Sequence, residues 1–143
     1  MTELDLRSLK IVLVGEGVGK TSILDTFIER KLNLKELPRV YDNHVEMLLD
    51  PHQPVRYLLD LWDTSAHPGF DRIRPLTYSN VTVFMMLFSI EDRESLESVS
   101  TRWFKEIHTF NEAIPFYLVG PRSIFEQITR FRRKRAKKWP AFL

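Results

Sequence analysis

Cysteine is absent from the 143 residues of this chain, and its absence limits the chemistry available. Disulfide bonds, thiolate metal sites and a cysteine nucleophile are excluded, and no prenyl anchor at a C-terminal cysteine is expected. The sequence also lacks an apolar run long enough to span a membrane, and its acidic start is unlike a secretory signal. Together these absences predict an intracellular protein.

Charge is unevenly distributed along the chain. Residues 1–120 hold 13 lysines and arginines against 18 aspartates and glutamates, whereas residues 121–143 hold 8 against 1. We therefore expect a folded domain over residues 1–120 and a basic tail over residues 121–143. Three interpretations of the tail stay open: weak contact with an anionic membrane surface, a nuclear-import or nucleic-acid patch, or a solvated end. The protein is accordingly expected in the cytoplasm or peripherally at the inner face of a membrane.

Glycine is scarce, with five residues, yet three of them fall in one short segment after the apolar run 11–14. A helix-like stretch, residues 23–28, follows this segment. A strand, a glycine loop, Lys-Thr and a helix form the layout of a phosphate-binding loop. Glycines let backbone N–H groups face phosphate oxygens, and the helix N-terminus adds its positive dipole. The predicted nucleotide-contacting residues of this loop are Gly15, Gly17, Val18, Gly19, Lys20, Thr21 and Ser22.

Within this loop, Lys20 is predicted to reach the outer phosphates, and Thr21 to offer its hydroxyl to Mg²⁺. The pattern requires four residues between its first glycine and the Gly-Lys pair, and here three separate Gly15 from Gly19. Two alternatives follow: a loop that still binds nucleotide, or an inherited turn that no longer does.

Strands alternate with helices along the chain, which predicts an α/β fold with a mostly parallel sheet and one antiparallel hairpin. Ligands in such folds bind beyond the carboxyl ends of the strands, where the glycine loop and the loop from Asp63 both fall. Strands are predicted over 9–14, 44–49, 55–62, 81–90 and 114–119, of which the first and the last two are expected to be buried. Helices are predicted over 21–30, 70–78, 95–110 and 124–138, and a polar loop over 31–44.

Several segments resemble small GTPases of the Ras superfamily, and the Rho family in particular. Residues 37–41, Leu-Pro-Arg-Val-Tyr, resemble the approach to switch I, and residues 61–64, Leu-Trp-Asp-Thr, resemble the start of switch II. Residues 71–78, Asp-Arg-Ile-Arg-Pro-Leu-Thr-Tyr, are close to the Rho switch II helix. The resemblance runs from about Leu9 to Gly120 and lacks a counterpart of the family's last strand and last helix.

This resemblance implies a signalling switch that binds GTP or GDP with Mg²⁺. It also implies that Rho-type effectors and regulators bind through residues 37–47 and 67–78. Carried onto this sequence, Thr21 and Asp63 would hold the metal, and Tyr41 and Ala66 would contact the nucleotide. His67 stands where the family has a water-positioning glutamine, so GTP hydrolysis is expected to be slow or absent.

Two further departures keep a second interpretation open. His44 stands where the family has a Mg²⁺-binding threonine, and residues 120–124 lack the aspartate that recognises guanine. As loop histidines without an evident carboxylate partner, His44 and His67 are expected to be solvated. The alternative is a nucleotide-independent pseudo-GTPase that binds Rho regulators or effectors through its retained switch II surface. A third interpretation is a poorly folding product whose sheet exposes an edge and an apolar face.

Overall fold

The computed structural model describes residues 5–16, 19–29 and 41–120. Gly17 and Val18 of the glycine loop, residues 30–40 and the basic tail 121–143 lie outside the described residues. The predictions made for those segments therefore stay predictions.

A five-stranded sheet forms the centre of the domain. Its strands, in chain order, are β1 (Asp5–Gly15), β2 (Tyr41–Leu49), β3 (Val55–Thr64), β4 (Val83–Leu87) and β5 (Phe116–Val119). In space they follow the order β2-β3-β1-β4-β5. Only β2 and β3 pair antiparallel, as a hairpin, and the other pairs are parallel. The predicted α/β fold with a mostly parallel sheet is thus confirmed.

Helices cover the connections between strands. They comprise α1 (Lys20–Glu29), 3₁₀ helices at Pro68–Phe70 and Arg74–Tyr78, α2 (Arg93–Ser98) and α3 (Phe104–Phe110). The side chain of Asp92 caps the start of α2, and a π-helical turn at Val99–Trp103 joins α2 to α3. The helix predicted over 95–110 is therefore confirmed, with this turn in its middle. No helix in the described part of the chain is long and apolar enough to cross a membrane.

The single helix predicted over 70–78 was wrong, because the structure has two short 3₁₀ helices there. Each has a proline in its first two positions, Pro68 and Pro75. Proline suits the start of a helix but lacks the N–H that a helix interior needs. Pro75 therefore begins a new helical segment instead of continuing an existing one.

The hydrophobic core lies on both faces of the sheet. Alternate residues of β1 point to opposite faces, so Val12 and Val14 pack on one side and Ile11 and Leu13 on the other. The first face is covered by the π turn and α3, with Trp103 fully buried. The second is covered by α1. Burial on both faces explains why residues 11–14 are continuously apolar.

Strand β5 differs from the prediction of a buried strand over 114–119. It spans only Phe116–Val119, and its Tyr117 and Leu118 side chains are 67% and 55% exposed. β5 is the last strand of the described sheet and pairs with β4 alone. An apolar sequence marks a strand, but it does not say whether another element covers it.

The other four strands also differ in length from their predictions. β1 begins at Asp5 and not at Leu9, and β3 runs to Thr64 and not to residue 62. β2 begins at Tyr41 and not at His44, because residues 41–44 pair with β3 despite their polar character. β4 ends at Leu87 and not at residue 90, since its last partner on β1 is Gly15, where β1 itself ends.

Candidate functional site

The predicted site residues that the structure describes gather at one edge of the sheet. β1 and β3 run parallel, with Leu13 opposite Asp63, so both strands end at this edge. Helix α1 begins here with Lys20 and Thr21, and Ala66 follows the end of β3. This is the carboxyl edge, where ligands of parallel sheets bind.

Two glycines of the loop have backbone conformations that favour glycine. Gly15 has a φ of +146°, and an added Cβ would lie 2.3 Å from the carbonyl oxygen of Leu87. Gly19 has a φ of 75°, in the left-handed region, and its carbonyl accepts the N–H of Ile23 at 3.0 Å as α1 begins. The glycines thus bring the loop close to β4 and turn it into the helix.

Lys20 lies inside the loop and not on the surface. Its side chain is buried, and Nζ donates a hydrogen bond of 2.6 Å to the carbonyl oxygen of Gly15. Burial lowers the pKa of Lys20, while the negative charges of Asp63 and Glu16 oppose that shift. The ammonium group is therefore held beside the glycine loop, within reach of a phosphate bound by that loop.

Thr21 and Asp63 form a hydrogen-bonded pair across the site, in which the Thr21 hydroxyl donates to Asp63 Oδ2. Burial raises the pKa of Asp63, although the Thr21 hydrogen bond and the charge of Lys20 act against it. The negative charges of Asp25 and Asp42 raise it further. The site thus has more negative charge around it than the glycine loop alone indicates.

The chemistry of this pair fits Mg²⁺, which prefers oxygen ligands. The other carboxylate oxygen of Asp63, Oδ1, is buried and has no hydrogen-bond partner among the described residues. Such an atom calls for an explanation, and an ion or its water is a common one. Within the described ranges, no group of three or more His, Cys, Asp or Glu could hold a metal by itself. A metal here would therefore depend on Thr21, Asp63 and the oxygens of a bound phosphate.

The raised pKa of Asp63 leads to a prediction about pH. The folded chain binds the Asp63 proton more readily than the unfolded chain does, so this group destabilises the fold as pH rises through its raised pKa. We expect Asp63→Asn to be more stable than the wild type at pH 7 without nucleotide, and the difference to shrink in acid. Urea unfolding over a pH series measures this.

The control for this experiment is Glu91→Gln, which removes one negative charge from an exposed position. Its unfolding free energy should follow the wild type at every pH. A wild type that is more stable than Asp63→Asn at pH 7 would contradict the prediction.

The other residues predicted to contact the nucleotide are Ser22, Tyr41 and Ala66, and their structural roles are simpler. Ser22 is buried on α1, and its carbonyl accepts the hydroxyl of Thr26 at 2.7 Å. Tyr41 starts β2 opposite Thr64, within the same edge of the sheet. Ala66 is half-buried after β3, and its carbonyl accepts a hydrogen bond of 2.7 Å from Arg102.

The two histidines have different surroundings. His67 is exposed, as expected, but its Nδ1 accepts the N–H of Gly69 at 3.0 Å and so caps the first 3₁₀ helix. The expectation that His44 lacks a carboxylate partner was wrong. His44 lies on β2 with Nε2 3.2 Å from Asp42 Oδ2, because residues two apart on a strand share a face.

Sequence reasoning missed a network of two arginines beside the site. Arg74 is fully buried, and its guanidinium donates to the carbonyl of Ser65 at 2.8 Å. The same group donates to Glu106 at 2.7 Å and to Asp71 at 2.6 Å. Arg102 is the second arginine of this network. The Asp71–Arg74 pair spans only three residues and had a local signal, but no sequence pattern reveals the contacts of Arg74 with Ser65 and Glu106.

A buried lysine beside a glycine loop and a threonine–aspartate pair are the arrangement expected of α/β proteins with a phosphate-binding loop. The Ras family sequence model matches residues 10–141. The chain belongs to the Ras family. The relatives below, to which it is similar, carry Rho names.

Three curated relatives illustrate this similarity. "Ras-like GTP-binding protein RhoL" of Drosophila melanogaster is 38% identical over 118 residues, 81% of this chain and 60% of the relative. "Rho-related protein racC" of Entamoeba histolytica is 37% identical over 80% of this chain and 59% of the relative. "GTP-binding protein RHO4" of Saccharomyces cerevisiae is 36% identical over 80% of this chain and 40% of the relative. The chain thus spans less than two thirds of the length of these relatives.

Proposed function

We propose that this chain is a Rho-like signalling switch that binds GTP or GDP together with Mg²⁺. One observation carries the proposal: Lys20 and the Thr21–Asp63 pair lie side by side at the start of α1 although the glycine loop is one residue short. Their charges and hydroxyl suit a phosphate and its metal.

In this proposal each group of the site has one task. Lys20 would exchange the carbonyl of Gly15 for phosphate oxygens, because hydrogen bonds between charged groups are stronger. Thr21 and Asp63 would hold Mg²⁺, which neutralises charge on the phosphates when bound. The N–H groups of Gly17 and Val18 would complete the cradle.

Equilibrium titration with a fluorescent guanine nucleotide tests this proposal. We expect binding that requires Mg²⁺ and that GTP and GDP displace. Because the guanine-recognising aspartate is absent from residues 120–124, competition by ATP decides whether the site still selects its base. A folded chain that binds no nucleotide with Mg²⁺ present would contradict the proposal.

We propose further that hydrolysis is slow, because the side chain at position 67 is an imidazole whose Nδ1 is already used by Gly69. His67→Gln is expected to raise the single-turnover rate of GTP hydrolysis on the order of tenfold or more, since a carboxamide can orient the attacking water. The rate is measured on chain loaded with GTP before Mg²⁺ is added.

His52→Gln is the matched control for this substitution. It lies in the turn after β2, at the opposite end of the hairpin, and should leave the rate unchanged. A wild type that already hydrolyses GTP as fast as His67→Gln would contradict this interpretation of His67.

A second candidate function is nucleotide-independent binding of Rho-type regulators or effectors through residues 37–47 and 67–78. The exposed side chains of Ile73 and Leu76, 43% and 76% exposed, favour it, because they point outward from a segment that buried Arg74 anchors. Capture of Rho regulators with and without nucleotide and a Mg²⁺ chelator separates the two functions. Capture that survives chelation supports the second function, and capture that requires Mg²⁺ and GTP excludes it.

We also propose that the basic tail 121–143 contacts anionic membranes weakly and places the protein in the cytoplasm or at the inner face of a membrane. Attraction of this kind is worth about 1 kcal/mol per basic residue near the surface and falls with salt. Sedimentation with anionic vesicles should therefore decline steeply as salt is raised, and binding that salt leaves unchanged would contradict it.

A further inference from the structure

Arg102 bridges the glycine loop and the start of switch II. Its Nη1 donates to Glu16 Oε1 at 2.5 Å, within the glycine loop. Its Nη2 donates to the carbonyl of Ala66 at 2.7 Å and to Asp71 Oδ1 at 2.8 Å, both in the segment after β3. One guanidinium therefore joins two segments that are 50 or more residues apart in sequence.

The orientation of Arg102 is fixed by packing and not only by charge. It belongs to the π-helical turn at Val99–Trp103, and its guanidinium lies 4.5 Å from the ring centroid of Trp103. Trp103 is fully buried in the core. π-Helical turns are rare and frequently occur at functional sites. The turn places Arg102 against the glycine loop while its neighbour anchors the helix in the core.

Arg74 holds the same segment from the other side. Arg74 and Arg102 both donate to Oδ1 of Asp71. Burial by itself would raise the pKa of Asp71, but the hydrogen bonds and charges of the two arginines hold it below its ordinary value. Arg74 also binds the carbonyl of Ser65. Residues 65–71 are thus tied to the body of the domain at Ser65, Ala66 and Asp71.

We propose that Arg102 is a positioning residue that fixes switch II against the glycine loop before any nucleotide binds. The inference rests on the proposed function, in which the glycine loop is the phosphate site. In nucleotide switches of this type, such segments become ordered through contacts with the terminal phosphate. Here side chains of the protein supply such contacts, so residues 65–71 are already held in one conformation when no nucleotide is bound.

Amide hydrogen exchange of the nucleotide-free chain tests this inference. Arg102→Gln removes the charge and most of the donors. We expect exchange over residues 65–71 to rise about tenfold or more, while β3 and β4 exchange as in the wild type. Arg93→Gln is the matched control, because it makes the same change in an exposed ion pair with Glu97 at the start of α2. Arg93→Gln should leave amide exchange over residues 65–71 unchanged.

A double-mutant cycle separates a specific link from general loosening. Glu16→Gln alone should also raise exchange over residues 65–71. Adding it to Arg102→Gln should have little further effect, since Glu16 acts on residues 65–71 through its hydrogen bond with Arg102. Arg102→Lys should fall between the wild type and Arg102→Gln, because one ammonium cannot reach three acceptors. Additive effects of Glu16→Gln and Arg102→Gln would overturn the link.

The outcomes for the two proposals are distinct. Unchanged exchange over residues 65–71 in a folded Arg102→Gln variant would overturn this inference whether or not nucleotide binds. If the wild type binds no nucleotide but Arg102→Gln and Glu16→Gln act as described, the positioning role stands and the proposed nucleotide function fails.

Discussion

Replacing Lys20 with alanine is expected to abolish the stabilisation of the fold by Mg²⁺ and GTP. In the wild type, nucleotide at 100 times its Kd should stabilise the folded chain by about 2.7 kcal/mol. Lys20 directly follows Gly19, and its Nζ donates a hydrogen bond of 2.6 Å to the backbone carbonyl of Gly15 in the glycine loop. Differential scanning calorimetry with and without Mg²⁺ and GTP measures the loss.

The loss of the Lys20 charge should by itself cost the unliganded fold little stability. Burial already lowers the pKa of Lys20, which means that the folded chain holds this charge at a cost. The control is Lys105→Ala, an exposed lysine on α3, which should retain the full nucleotide effect. A Lys20→Ala variant that GTP stabilises as strongly as the wild type would show that the glycine loop is not the phosphate site.

Arg74→Ala is expected to have the largest effect on stability. Arg74 is completely buried, and its loss would leave the carboxylate of Glu106 without its ion-pair partner and that of Asp71 with Arg102 alone. Breaking a buried ion pair from one side costs about 3–5 kcal/mol. The carbonyl of Ser65 and the ring of Trp103 would lose contacts as well. Urea unfolding measures the free-energy difference.

Arg72→Ala is the matched control, since Arg72 is exposed in the same segment. Its unfolding free energy should change by less than about 0.5 kcal/mol. Arg74→Lys should retain only part of the stability, because a single ammonium cannot replace the planar group that binds Ser65, Glu106 and Asp71 together. Equal stability of Arg74→Ala and Arg72→Ala would contradict the account of the buried network.

The central elements could be predicted because their sequence signals are local. Residues 11–14 are apolar at every position, which indicates a strand covered on both faces. The glycines and Lys20 follow at the spacing of a loop that leads into a helix. The hairpin of β2 and β3 could be read from two strand-like runs around a short proline-bearing turn. Each of these predictions depends on residues that lie close together in the sequence.

The parts that could not be predicted depend on distant partners. Arg102 reaches Glu16 across 86 residues and Ala66 across 36, and nothing near Arg102 in the sequence indicates either contact. The exposure of β5 depends on which elements lie beside it, and its own apolar residues do not reveal that. The split of the helix predicted over 70–78 is the exception, because Pro75 is a local signal. A proline favours the start of a helical segment and disfavours a helix interior.

The most direct test of the central claim is the thermal unfolding curve of the wild-type chain with and without Mg²⁺ and GTP, GDP or ATP. The account predicts one cooperative transition that Mg²⁺ with GTP or GDP moves to higher temperature. A cooperative transition that none of these nucleotides moves would contradict nucleotide binding by the shortened loop. It would leave a Rho-like scaffold whose switch II surface is held by Arg74 and Arg102 alone.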